Sequence, residues 1–114
     1  MSDPVVNSGS GLVTIYMTAA DREEAETIAR RLVEDRLVAC ANVIDGVTSY
    51  FWWDGKVRGD DEVVLIAKSR AELVPAIEDW VKTLHSYDCP CMVVWPIEGG
   101  NPDYLAWIDS ETRS

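Results

Sequence analysis

The residues best suited to chemistry lie close together, in HSYDCPCM at positions 85 to 92. This stretch holds the only histidine of the 114-residue chain and two of its three cysteines. Thiolate sulfur and neutral imidazole nitrogen are ligands for soft and borderline metal ions. In an extended strand, residues two apart share a face, so Cys89 and Cys91 could aim at one ion. Pro90 biases Cys89 toward that extended form. The same residues also read as a helix end followed by a strand that happens to carry thiols. A lone C-x-C lacks the four-ligand pattern of a structural zinc site. His85, ending a helix, would as imidazolium complement the negative end of the helix dipole.

The rest of the composition narrows the partners. Acids outnumber bases 20 to 10, a net charge of −10. Binding to nucleic acid or to an acidic membrane depends on neutralising phosphates with Lys and Arg, so both are disfavoured. No apolar run is long enough to cross a bilayer. The opening MSDPVVNSGSG lacks the basic and apolar regions of a secretory signal and reads as a flexible tail over residues 1–11. These features point to the cytosol, where three cysteines are reduced thiols and not a disulfide framework. A single domain is expected over 12–114.

Hydrophobic periodicity supplies the elements that position these residues. LVTIYMTAA, 12 to 20, alternates as a strand, with Val13, Ile15 and Met17 on one face. Asp21 caps a helix, and Glu24 three residues later makes a variant capping box. Ala25, Ile28, Ala29, Leu32 and Val33 form the buried stripe of that helix. A strand from Val38 to Trp53 leads into Asp54-Gly55, a two-residue hairpin signal. The return strand runs from Lys56 to Lys68. Both arms are long for a globular strand, so the hairpin projects from its subunit or lies against another. A second helix has Pro75 in its first turn and buries Ile77, Trp80, Val81 and Leu84. The next strand is CPCMVVWPI, 89 to 97, whose two prolines suit an edge. Asn101 and Pro102 then start a short helix carrying Tyr104, Leu105, Trp107 and Ile108. The order is β-α-β-β-α-β plus a terminal helix: an α+β, ferredoxin-like sandwich with a long β-hairpin and an extra C-terminal helix. Its helices cover one face of the sheet. The other face is also apolar and asks for a partner subunit.

LVEDRLVACANVIDGVTSYFWWDGKV, 32 to 57, resembles the CutA family of divalent-cation tolerance proteins. The likeness continues through Glu62, Lys68, LHSY at 84 to 87, Pro90, PIEGG at 96 to 100 and YLAWI at 104 to 108. It implies a ferredoxin-like protomer in a tight, PII-like homotrimer, whose hairpins extend the sheets of neighbours. It also implies binding of copper or another divalent cation such as zinc, with no cofactor needed for folding and no agreed reaction. Carried over by position, the family's proposed ion ligands become Met17, His85 and Cys91, with Cys89 as an added thiol. His85 matches outright. Met17 stands where some relatives have Cys, Cys91 where Glu is usual, and Ser86 where proline usually follows the histidine. Trp52, Lys68, Tyr87, Tyr104 and Trp107 match recurring positions, as packing at trimer contacts or as the lining of a cleft between subunits. Lys68 is expected to pair with an acid such as Glu62 or Glu98, the alternative being an anionic ligand. Cys40, in VACAN, reads as a small buried residue.

The leading function is a non-enzymatic, cytoplasmic homotrimer in copper and divalent-cation tolerance. The alternative is a PII-like signalling protein that binds a small ligand in intersubunit clefts. An enzyme is disfavoured because no third group is identifiable to orient a Cys–His pair.

Overall fold

Alternation in LVTIYMTA places Val13, Ile15 and Met17 on the buried side of strand β1, Leu12–Ala19. The rest of the chain is built around that strand. A computed structural model describes residues 10–113. After β1 come helix α1 (Arg22–Glu34), strands β2 (Cys40–Trp53) and β3 (Lys56–Arg70), a single 3-10 turn (Ala71–Leu73), helix α2 (Val74–Leu84), strand β4 (Met92–Pro96) and helix α3 (Pro102–Glu111). The four strands form one antiparallel sheet in the order β2-β3-β1-β4. The expected ferredoxin-like α+β architecture is therefore present, with β4 at an edge where Pro96 costs no ladder bond.

The register decides which side chains share a face. Met17 pairs with Leu65 on β3 and with Met92 on β4. Val13, Ile15, Met17, Leu65 and Ala67 pack with Ile28 and Leu32 of α1 and Ile77 and Val81 of α2 in one apolar core. The opposite face carries Lys68, Ile66 and Val64 of β3 opposite Thr14, Tyr16 and Thr18 of β1. Large apolar groups stay accessible there: Ile44 is 45% exposed, Val93 44% and Trp95 50%. Within one chain this second face is only partly covered, and Tyr104 of α3 reaches it, its hydroxyl 3.4 Å from Cys40 Sγ.

The hairpin is as long as its sequence suggests, 14 residues in β2 and 15 in β3. Asp54 and Gly55 both adopt positive φ, 53° and 75°, the combination of a type I′ turn that matches strand twist. A bulge between Ile44 and Val47, with Gly46 at φ 81°, bends β2 midway.

Several sequence expectations change in detail. Val33 is 39% exposed and does not belong to the buried stripe of α1. Asp21 caps α1 by accepting the Glu24 N–H at 2.8 Å, but the Glu24 carboxylate accepts from Ala20 N–H, one residue before the cap. The last strand begins at Met92 and not at 89, so Cys89 and Cys91 lie in the preceding loop. Pro90 explains the late start, since it has no N–H to give to a ladder. Of the expected N-terminal tail, residues 1–9 fall outside the described residues. Ser10 and Gly11 hydrogen-bond to Ile97 and Ala71, joining the start of β1 to the core.

Candidate functional site

His85 is the pivot between α2 and the cysteine loop. It caps α2 and its side chain is fully buried. Nε2 lies 2.7 Å from the Thr18 carbonyl, and Nδ1 lies 3.0 Å from the Tyr87 N–H. A carbonyl only accepts and an amide N–H only donates, so the ring is neutral with its proton on Nε2. Both nitrogens are thus engaged by backbone, joining the end of β1 to the loop. The helix-dipole role considered for an imidazolium is not the one this geometry supports.

Glu24 holds the same loop from the other side. Its carboxylate accepts the Ser86 N–H at 2.6 Å and the Ala20 N–H at 3.0 Å, and stands 4.0 Å from His85 Nδ1. Burial works against its charge, but the hydrogen bonds from Ser86 and Ala20 outweigh it and hold the carboxyl below its usual 4.5. A depressed folded-state value means that this contribution to stability is present above pH 4.5 and is lost as pH falls through the folded value. Acid unfolding of Glu24→Gln is therefore expected to lack this component. Parallel acid titrations followed by circular dichroism check it; superimposable curves would remove Glu24 from the account.

Beyond the loop lies a cleft of about 700 Å³ on the open side of the sheet. Cys89 and Cys91 line one wall, beside Tyr87 and Asp88. The hairpin arm supplies the facing wall through Phe51, Trp53, Arg58, Asp60 and Glu62, and β1 supplies the floor through Tyr16 and Thr18. Arg58, Asp60 and Glu62 share this wall because alternate residues of a strand point the same way. Both thiols are free and exposed. The Tyr87 hydroxyl donates to Glu62 at 3.1 Å, closing the cleft between loop and hairpin. Partial burial, that hydrogen bond and the charges of Glu62, Glu24 and Asp60 push the Tyr87 phenol up to about 12. A raised value means that its contribution to stability is complete below pH 10 and is lost between pH 10 and about 12. Tyr87 is expected to ionise near pH 12 in the ultraviolet difference spectrum, and Tyr87→Phe is expected to remove one tyrosine's share of the absorbance change there.

The sequence-derived ligands divide between two sides of the sheet. Met17 is buried among the apolar residues under the helices, whereas Cys91 and Cys89 line the cleft on the opposite side. His85 keeps both nitrogens on backbone groups. Among the described residues, no three His, Cys, Asp or Glu side chains converge as a metal cage. Met17 and His85 therefore do not fit an ion held by Cys91. The two thiols remain as soft donors beside three carboxylates, Asp60, Glu62 and Asp88.

The cleft residues expected from the sequence also divide. Tyr87 lines the cleft, but Trp52 points away from it, 75% exposed, and its neighbour Trp53 lines it instead. Lys68, Tyr104 and Trp107 form a separate group. Lys68 Nζ sits 6.0 Å from the centre of the Tyr104 ring, which stacks on Trp107 at 5.5 Å. Among the described residues Lys68 makes no ion pair, and Glu62 is taken by Tyr87. Cys40 is half-buried, its thiol 3.4 Å from the Tyr104 hydroxyl, and is more than the buried packing residue expected. Arg58, Asp60 and Phe51 were not singled out by sequence. The cue was their alternation along the hairpin arms, which assigns them to one face but not to a cleft.

A ferredoxin-like sheet, an overlong bulged hairpin, and a thiol-bearing loop fastened to β1 through a buried histidine define a narrow class of small α+β proteins. The family model described as CutA1 divalent ion tolerance protein matches residues 13–111, and the chain belongs to that family. Similar proteins include the "Divalent-cation tolerance protein CutA" of Archaeoglobus fulgidus, 46% identical over 95 residues, covering 83% of this chain and 92% of the relative. "Protein CutA 1, chloroplastic" of Oryza sativa is 39% identical over 101 residues, 89% of this chain; the match spans only 57% of that longer protein. Among solved structures, the divalent cation tolerance protein of Thermus thermophilus superposes with a TM-score of 0.88 at 39% identity, covering 90% of this chain and 99% of that one.

Proposed function

We propose that the protein is a non-enzymatic homotrimer of divalent-cation tolerance that captures soft metal ions as cargo, with Cys89 and Cys91 as the ligands. The observation that carries this reading is the placement of two free, exposed thiols on one wall of an acidic cleft. Acids concentrate cations at the mouth, and thiolates select among them by softness. Zinc in a closed site takes four N or S ligands, which no one chain supplies among its described residues. Cu(I) is favoured by sulfur donors and is the better match. No helix among the described residues is long and apolar enough to cross a membrane. We place the protein in the cytoplasm, where its thiols stay reduced. The exposed Ile44, Val93 and Trp95 make an uncovered apolar face that a second and third copy would bury.

The test is competition with a chromogenic chelator under reducing conditions. The parent is expected to withdraw Cu(I) from the chelator and to leave Zn(II) largely in place. Cys89→Ser/Cys91→Ser is expected to lose Cu(I) binding by about a hundredfold or more, since both soft donors are removed. Binding must also weaken as pH falls, because thiolates are protonated. Equal Cu(I) affinity in parent and double variant would dismiss the cleft thiols as ligands.

A further inference from the structure

His85 is the chain's only histidine, and it sits where three elements meet. It caps the end of α2, its ring bonds to the end of β1, and Glu24 of the first turn of α1 stands beside it. The side chain is fully buried within a single chain, so no neighbouring copy is needed to complete the arrangement. In the neutral ring Nε2 donates to the Thr18 carbonyl at 2.7 Å and Nδ1 accepts the Tyr87 N–H at 3.0 Å. A second proton, on Nδ1, turns that acceptor into a donor, and two N–H groups then face each other. Among the described residues Glu24 is the acid that stands ready for this proton, its Oε2 4.0 Å from Nδ1. The same carboxylate accepts the Ser86 N–H through Oε1 and the Ala20 N–H through Oε2. The other neighbours bring no competing charge. β1 offers the Thr18 carbonyl, and β3 runs past with Val63 and Val64 as cross-strand partners of Ala19 and Thr18. The Tyr87 ring lies 4.7 Å away with its hydroxyl on Glu62, and Lys82 of α2 is turned to Glu78.

We propose that His85 is a proton-operated catch for the loop between α2 and β4: neutral, it holds the loop closed, and as imidazolium it releases Tyr87 and pairs with Glu24. Imidazole is the side chain that ordinarily changes charge within the physiological range. To meet the new Nδ1–H, the Glu24 carboxylate must move in, and this draws it off the Ser86 N–H. One proton therefore weakens two backbone ties of the loop, at Ser86 and at Tyr87. The Tyr87 hydroxyl on Glu62 is the tie that remains. The apolar core below, from Val13 to Met17 of β1 and across to Leu65, contains no group that changes charge, so the opening is local. Cys89 and Cys91 ride on the same loop, and acidification would loosen the wall on which they stand. The catch itself does not depend on copper capture, since neither thiol takes part in it.

Nuclear magnetic resonance of the ¹⁵N-labelled, metal-free protein across a pH series tests it. A single histidine gives one pair of ring-nitrogen signals, so its tautomer and its protonation are read without ambiguity. At neutral pH the proton is expected on Nε2. On acidification the exchange protection factor of the Tyr87 amide is expected to fall roughly tenfold, the worth of one hydrogen bond. That fall is expected to share its midpoint with protonation of the ring, while the amides of Ile15 and Leu65 stay protected. Glu24→Gln is expected to move both midpoints together to lower pH, because the imidazolium loses its carboxylate. His85→Gln, which cannot titrate, is expected to show no step at Tyr87. Protection at Tyr87 that survives protonation of the ring would overturn the proposal. So would a ring that stays neutral until Ile15 and Leu65 exchange with the rest of the chain, or midpoints left unmoved in Glu24→Gln.

Discussion

Replacing His85 with alanine is expected to cost about 2–4 kcal/mol of stability, the range for emptying a buried site and stranding its hydrogen-bond partners. The ring is fully buried and ties the end of β1 to the cysteine loop. Its loss leaves the Thr18 carbonyl without its donor and the Tyr87 N–H without its acceptor. The loop that carries Cys89 and Cys91 then depends on Glu24 at Ser86 and on the Tyr87 hydroxyl at Glu62. Chemical denaturation of parent and variant, at equal concentration because assembly stabilises by mass action, measures the difference. Parent-like stability would mean that the histidine is dispensable to the fold and free for another role. The same variant is expected to weaken the proposed copper capture indirectly, by releasing the loop and not by removing a ligand.

In the proposed homotrimer, Trp95→Asp is expected to release monomers that remain folded. Trp95 lies on the open face, half exposed, in ring contact with Tyr16 at 5.6 Å. Burial of its ring between copies would contribute about 2 kcal/mol or more, and a carboxylate left in an apolar interface costs several more. Each ~1.4 kcal/mol is tenfold in affinity, so the dissociation constant is expected to rise by more than roughly a hundredfold. Sedimentation velocity across a concentration series separates the outcomes. A trimer of unchanged strength would place the contact surface elsewhere, with the hairpin residues Tyr50, Trp52 and Val57 as the next exposed apolar group.

The elements were legible because period and punctuation agree in this chain. Alternation in LVTIYMTA, Asp21 before α1, Asp54-Gly55 in the hairpin and Asn101-Pro102 before α3 each encode a local geometry that tertiary contacts did not override. Val33 was misplaced because helical spacing marks a stripe wider than the sheet covers. The site was less legible because ligand sets depend on which face a residue takes. Met17 pairs with Met92, the neighbour of Cys91, yet Met17 faces the helices and Cys91 the cleft. His85 read as a ligand because a histidine beside thiols suggests metal; only the positions of the Thr18 carbonyl and the Tyr87 amide reveal that its nitrogens are occupied. Lys68 lost its expected acid for a similar reason. Glu62 points the same way along β3 but is held by Tyr87, from a loop whose path sequence does not fix.

The most direct measurement is native mass spectrometry of the freshly reduced protein with and without Cu(I). The expected spectrum shows a trimer carrying one Cu(I) per chain, with the ion absent from Cys89→Ser/Cys91→Ser and the trimer intact. A trimer that retains copper in the double variant, or never takes it up in the parent, would contradict capture of the ion by the cleft thiols.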